Sequence, residues 1–280
     1  MPQGFTFQKF GDIEAAVLSD GVLHATYDPF RGLDRAECIR LVGRPDKGVG
    51  SVRIQVNAFI AKFGDKLILI DAGCGNTMGP TLGHLAANLR AGGVDPSKVT
   101  HVLLTHIHPD HSNGLVDANN QPAFPNAEVL VHENDAKFWL ERAPESGDDD
   151  FVTRNIAAAR RVLAPYLTRL RRVTNGEALP GVSAYLSAGH TPGHTTWLIH
   201  AGKDAVLFWG DTVHVGPIQF AHPKTTLIYD LDQQAAAASR ARVFDWVSAD
   251  RIRVAGAHLE LPGFGYVTRK GAGFAFESEA

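Results

Sequence analysis

The residues with the clearest chemical potential lie together in Thr105-His106-Ile107-His108-Pro109-Asp110-His111. Three histidines and one aspartate fall within six positions, a density that chance does not supply even in a chain with 13 His. Neutral imidazole and carboxylate are the ligand types that hold Zn and similar divalent cations. The cluster follows Val102-Leu103-Leu104, an apolar run that reads as a short buried strand. Pro109 and Ser112-Asn113-Gly114 predict a loop rather than a helix after it. The expected arrangement is a strand that stops and presents His106, His108, Asp110 and His111 at its carboxyl end.

A metal site needs partners from elsewhere in the chain, and three segments offer them. Gly189-His190-Thr191-Pro192-Gly193-His194-Thr195 is one. Trp209-Gly210-Asp211-Thr212, after the apolar run Ala205–Phe208, is the second. Ala255-Gly256-Ala257-His258, after Arg251–Val254, is the third. The form repeats: strand, glycine, ligand-type residue. Glycine lets the backbone turn sharply and lets groups approach an ion closely.

This set resembles the metallo-β-lactamase-fold hydrolases, which carry an HxHxDH loop, a later His, a bridging Asp and a last His. Each position is filled in order by His106, His108, Asp110, His111, His194, Asp211 and His258. The likeness runs from about Asn57 to His258. Thr105 to Gly114, Trp209-Gly210-Asp211 with Val213-His214-Val215, and Gly256 to Leu259 with Pro262 to Gly265 look closest to the methyl parathion hydrolase and lactonase-like branch. The resemblance implies an α/β (α+β) fold, a four-layer αββα sandwich, with residues 1–280 as a single hydrolase domain. It also implies two metal ions: His106, His108 and His194 around the first, Asp110, His111 and His258 around the second, and Asp211 bridging both. Asp110 and Asp211 are then the catalytic carboxylates. Asp71, in Asp71-Ala72-Gly73, is expected to support the metal loop, and a homodimer is the expected assembly.

The chemistry follows from the ligand set. Metal coordination lowers the pKa of bound water from 15.7 toward ~7, so a hydroxide bridging two ions about 3.5–4 Å apart becomes a nucleophile at neutral pH. One ion orients it, and the other polarises a C=O or P=O and stabilises developing charge. A set without Cys fits Zn, Mn, Co or Fe without choosing among them, and Zn is the expected pair of ions. Phe138, Trp139, His214, Phe220 and Leu259 are the candidate pocket walls, suited to an apolar or aryl leaving group. No Arg or Lys in the metal loops announces an anionic substrate, which argues against a phosphate-monoester or nucleotide enzyme. The reading is a dinuclear hydrolase of a neutral ester or lactone, with an organophosphate triester as the alternative electrophile. A binding module with a structural metal is the contrasting class, and it is disfavoured because structural sites are closed and Cys-rich. His190 is read as a structural residue at a strand end, with a place behind the metal ligands as the alternative, and His101 and His200 as spectators at strand edges.

Composition bounds these readings. With 44% hydrophobic and 20% charged residues, 280 residues suffice for a full core. A net charge of −3 without a basic run argues against a nucleic-acid partner. Cys38 and Cys74 make no disulfide framework, and Cys74 is read as a buried spectator. The start, Met1-Pro2-Gln3-Gly4-Phe5, carries no signal-peptide pattern, and no apolar stretch nears the ~20 residues that span a bilayer, so a cytoplasmic protein acting on a small molecule is expected.

Periodicity supplies the remaining elements. Residues 5–30 predict a hairpin turning at Ser19-Asp20-Gly21, and 53–70 a second hairpin around Gly64-Asp65. Helices are expected over 80–91, 134–142, 155–170 (kinked at Pro165) and 232–247, the last capped by Asp230 or Asp232. Glu145 to Asp150 reads as an acidic loop, and strands are expected at 128–132, 182–186, 195–200, 205–209 and 263–276.

Overall fold

The computed structural model describes residues 5–145 and 147–279; Met1 to Gly4, Ser146 of the acidic loop and Ala280 lie outside the described residues. The chain opens with β1 (Gln8–Phe10), β2 (Ile13–Ala25), β3 (Phe30–Arg31) and α1 (Arg35–Val42). The hairpin β4 (Val52–Phe63) and β5 (Lys66–Ile70) leads to α2 (Leu85–Ala91), β6 (His101–Leu103) and the one-turn α3 (Pro109–Ser112). Then come β7 (Glu128–His132), α4 (Glu133–Asp135) running into a π-helical turn at Ala136–Glu141, α5 (Asp150–Leu163) and β8 (Leu170–Val173). The second half holds β9 (Gly176–Leu179), β10 (Val182–Leu186), β11 (Thr195–Ala201), β12 (Asp204–Phe208), α6 (Gly216–Ala221) and β13 (Thr226–Leu227). It closes with α7 (Gln233–Ala249), β14 (Arg253–Ala255), β15 (Phe264–Lys270) and β16 (Gly273–Ser278).

Two seven-stranded sheets form, β1-β2-β4-β5-β6-β7-β8 and β16-β15-β14-β12-β11-β10-β9. Strands β5 to β8 run parallel, as do β12 and β14; the inner ones, such as β6 and β7, are buried on both faces and so read as apolar runs, whereas the edge strand β8 carries the partly exposed Arg171 and Arg172. In β6, Val102 points to the layer shared with α2 and α5, while Leu103 points to the layer between the sheets. In β12, Val206 and Phe208 join the inter-sheet layer and Leu207 faces α7 with Val243 and Phe244. Helices outside two facing sheets give the αββα sandwich.

Three expectations are corrected. Residues 13–25 form one long strand, not a hairpin. The register shifts between Ser19 and Gly21, and the buried Asp20 accepts hydrogen bonds from the backbone of Cys74, Gly83 and Leu85, so the polar trio marks a bulge anchoring a distant loop. The segment after His108 is a helical turn rather than a loop: Pro109 occupies its first turn, where a missing N–H costs nothing. The helix expected from Pro80 starts only at Leu85.

Candidate metal centre

Strand ends deliver the site. β6 ends before His106 and His108, α3 carries Asp110 and His111, the β10–β11 connection carries His190, the turn after β12 carries Asp211, and the turn after β14 carries His258. Gly210, at φ +52, makes the turn that places Asp211, and a Cβ there would lie 2.7 Å from Thr105.

The side chains gather in three overlapping groups: His106, His108 and His190; Asp110, His111, Asp211 and His258; and His190, Asp211 and His214. In the first, His106 Nε2 and His190 Nε2 lie 3.1 and 2.9 Å from His108 Nδ1. In the second, Asp211 Oδ1 is 2.9 Å from His111 Nε2 and 3.1 Å from His258 Nε2, with Asp110 Oδ2 at 3.4 Å from His111 Nε2. The other oxygen of Asp211 turns to the first group, 3.1 Å from His190 Nε2 and 3.0 Å from His214 Nε2. One carboxylate therefore faces both groups.

The far nitrogens of these histidines are fixed. His111 Nδ1 contacts Asp71 at 2.8 Å, His190 Nδ1 contacts Asp230 at 2.8 Å, and His258 Nδ1 contacts the Gln55 carbonyl at 2.6 Å. Such contacts set tautomer and ring orientation. Asp71 also accepts from the Thr105 N–H and hydroxyl, and it sits at φ +60, a strained backbone held by the loop it supports. Asp135 is a buried strut: its two oxygens accept from Ile107 N (3.0 Å) and Gly193 N (2.6 Å), tying the HxH loop to the His190–His194 loop. Burial pushes its carboxyl up to about 6, against the opposing pull of its hydrogen bonds and of His190.

His194 does not join either group, contrary to the sequence expectation, and His190 takes the place assigned to it. The reason is stoichiometric. His194 Nδ1 lies 3.1 Å from the Ser187 carbonyl and its Nε2 accepts the Asp211 N–H at 3.0 Å, so no lone pair remains. Its burial lowers its pKa to about 3, consistent with a neutral ring holding the Asp211 backbone in place. Both His190 and His194 stand in a Gly-His-Thr triplet, so local sequence carries no signal that separates them.

The donor set suits divalent ions. His111 Nε2 and Asp211 Oδ1 are buried with no hydrogen-bond partner, although a ligand-type neighbour stands at 2.9 Å. Burial drives His106 and His108 well below the usual imidazole range. Burial also opposes charge on His111, His190 and His258, yet the Asp211 carboxylate overrides it and raises all three, His190 to about 9. Asp211 itself is held far below the carboxylate range: burial opposes this, but His111 and His258 prevail. Protons thus occupy places that cations of higher charge fit. Cys74 stays outside the groups, buried, its thiol pushed far up by burial.

The walls differ in part from those expected. His214, Phe220 and Leu259 line a 720 Å³ cavity that also touches His258. Trp139 is fully buried and backs His108 with ring centroids 5.3 Å apart, and Phe138 packs on Trp139 beneath Arg142, so neither lines that cavity. Two aromatics missed in the sequence flank the first group: Phe151 lies 5.5 Å from the His108 ring and Tyr229 lies 5.7 Å from Phe151.

The chain was compared with known proteins. The Metallo-beta-lactamase superfamily pattern matches residues 52–251. "Uncharacterized protein YobT" of Bacillus subtilis (strain 168) is 29% identical over 174 residues, covering 60% of this chain and 69% of that protein. The crystal structure of hydrolase AbOPH in the beta lactamase superfamily is 29% identical at TM-score 0.91, covering 98% of this chain and 96% of that one. AidC, described as a dizinc quorum-quenching lactonase in complex with an N-hexanoyl-L-homoserine product, is 27% identical at TM-score 0.89, covering 99% of this chain and 98% of that one. With the sandwich, the strand-end ligand loops and the family pattern agreeing, the chain belongs to the metallo-β-lactamase superfamily and is a metal-dependent hydrolase of that fold.

Proposed function

We propose that the protein is a dinuclear metal-dependent hydrolase that cleaves a neutral ester or lactone. The observation that carries this reading is the Asp211 carboxylate, with Oδ1 among the second group and Oδ2 among the first. A bridging carboxylate is what two ions sharing one water require. His106, His108 and His190 would hold one ion, Asp110, His111 and His258 the other, and Asp211 both. Divalent ions bound there would supply Lewis acidity and bring the pKa of water from 15.7 toward ~7. Zn is favoured by the His/Asp set, and Mn, Co or Fe would also fit.

The chain's own groups do the rest. Asp211, with one oxygen toward each group, fixes the geometry. Asp110 is the more open of the two, its side chain 16% exposed against 4% for Asp211, so it is placed to accept the proton of attacking water and pass it to the leaving oxygen. The sheets exclude bulk water beneath. The likeness to a lactonase over nearly the whole chain supports a lactone or ester electrophile. A phosphotriester is the second reading, favoured by the Phe151–Tyr229 pair beside the first group, which suits an aryl leaving group.

The test is kcat/KM on protein of measured metal content for lactones and aryl esters against a dialkyl aryl phosphotriester, with and without chelation. Dominant lactone or ester turnover, lost on chelation, is the expected result. A dominant phosphotriester rate would reverse the order of the two readings. Turnover that survives complete metal removal would falsify the dinuclear mechanism.

A further inference from the structure

The cavity that reaches His214 and His258 continues away from the metal centre, between the end of α1, helix α6 and the β15–β16 hairpin. At 720 Å³ it falls in the range of small-molecule sites, roughly 300–1,000 Å³. Its body is apolar: Leu41, Val42, Val215, Phe220, Phe274 and Phe276 contribute. Phe220 and Phe276 stack at 5.5 Å with an interplanar angle of 7°, giving a flat aromatic floor.

Its exposed lining is cationic. Arg44, Arg53 and Lys270 are solvent-exposed, and the single acidic lining residue, Glu260, receives Gln55 Nε2 at 3.1 Å. Among the described residues none of the three cations has an ion-pair partner. Several acids of the surrounding segments pair with other cations: Asp28 and Asp46 with Arg35, Glu37 with Arg40, and Glu279 with Arg253; Glu260 and Glu277 have no ion-pair partner among the described residues. In a chain of net charge −3, three unpaired cations at the mouth of one apolar cavity form a local field of the opposite sign.

We infer that this cavity receives the distal arm of the substrate, and that the arm is apolar and ends in an anionic group such as a carboxylate, held by Arg44, Arg53 and Lys270. The inference rests on the hydrolase reading above and adds a substrate class to it: an amphipathic ester or lactone, neutral at the scissile bond and charged at its far end. The contact of the inner cavity with His214 and His258 places the scissile end at the metal centre. The absence of Arg or Lys from the metal loops agrees, since the charge is read remotely rather than at the reacting atoms.

Metal-loaded protein is assayed with the 4-nitrophenyl monoester of decanedioic acid, which ends in a free carboxylate, and with its methyl-capped counterpart. The expected result is a kcat/KM at least about tenfold higher for the carboxylate, the size that several exposed charge contacts can supply, shrinking as salt is raised. In the combined variant Arg44→Gln, Arg53→Gln and Lys270→Gln the ratio falls toward one. Equal rates for the two esters, or a preference that survives in the variant, overturn the inference while leaving the hydrolase reading intact. If protein with two bound metals turns over neither ester, the ester-or-lactone reading of the site fails instead. The cavity is then judged by calorimetry with decanoate: binding that weakens in the triple variant supports the inference, and no binding to the unsubstituted protein overturns it.

Discussion

What the inner ring nitrogen faces separates the two histidines: His194 Nε2 accepts a backbone N–H, whereas His190 Nε2 faces only the ligand-type atoms His108 Nδ1 and Asp211 Oδ2, between which an ion would fit. His190→Ala is expected to lower bound metal from two ions to one, measured by elemental analysis of protein freed of loose metal. His194→Ala should keep both ions and cost activity about 10–100-fold, the scale of losing a group that orients a ligand, here through the Asp211 backbone. If His194→Ala loses an ion and His190→Ala does not, the assignment is reversed. Asp135→Asn removes one acceptor from a strut that holds two ligand loops together. It should weaken metal binding at the His106–His108–His190 group by about 10–100-fold, with the second group less affected. Competition with a chromophoric chelator reads the two affinities separately.

At the scale of elements, the site is made where strands stop. β6, β12 and β14 lie in two different sheets, yet their carboxyl ends meet, because both sheets pack with these ends on the same edge of the sandwich. The turns are crowded. A Cβ at Gly210 would sit 2.7 Å from Thr105 and 2.8 Å from His194 Nε2, with the backbone already at φ +52. Gly210→Ala is expected to destabilise by about 1–3 kcal/mol, lowering the melting temperature by several degrees, and to disturb metal binding as well. An unchanged melting temperature would show that the turn relaxes without cost. Gly43, with φ +69 and open space around it, is the control position, where only the backbone penalty applies.

For the molecule as a whole, cations and protons compete for one buried cluster. The Asp211 carboxylate raises His111, His190 and His258 despite their burial, and with His190 at about 9 that ring holds a proton at neutral pH in chelated protein. Below His190's value of about 9 that proton must leave before an ion binds, so metal affinity should fall as pH falls, and uptake at pH 7 should release protons. Calorimetry in two buffers of different ionisation enthalpy counts them. No proton release would contradict the protonation pattern. Because bound ions stabilise only the folded state, adding metal at about 100 times its Kd should contribute about 2.7 kcal/mol, read as a higher melting temperature that chelation reverses. Among the described residues no helix is long and apolar enough to cross a membrane.

Much of this was legible from local sequence. The HxHxDH cluster is contiguous, and an apolar run before a glycine and a ligand-type residue marks a strand end wherever it occurs, so His106, His108, Asp110, His111, Asp211 and His258 could be named without coordinates. The helix over 233–249 with Asp232 as its cap follows from spacing and one side chain. Tertiary structure decided what depends on partners far away in the chain. Asp230 looked like a possible cap and instead orients His190 from 40 residues away. Asp20 looked like a turn and instead anchors Cys74 and Leu85 across the bulge in β2. His190 and His194 carry the same local triplet, and only the tertiary structure sets backbone groups of Ser187 and Asp211 on both nitrogens of His194 while turning His190 Nε2 toward the other ligand-type side chains. Residue types and spacing determine what chemistry is available. Which lone pairs remain free to perform it depends on hydrogen bonds closed only when distant segments pack.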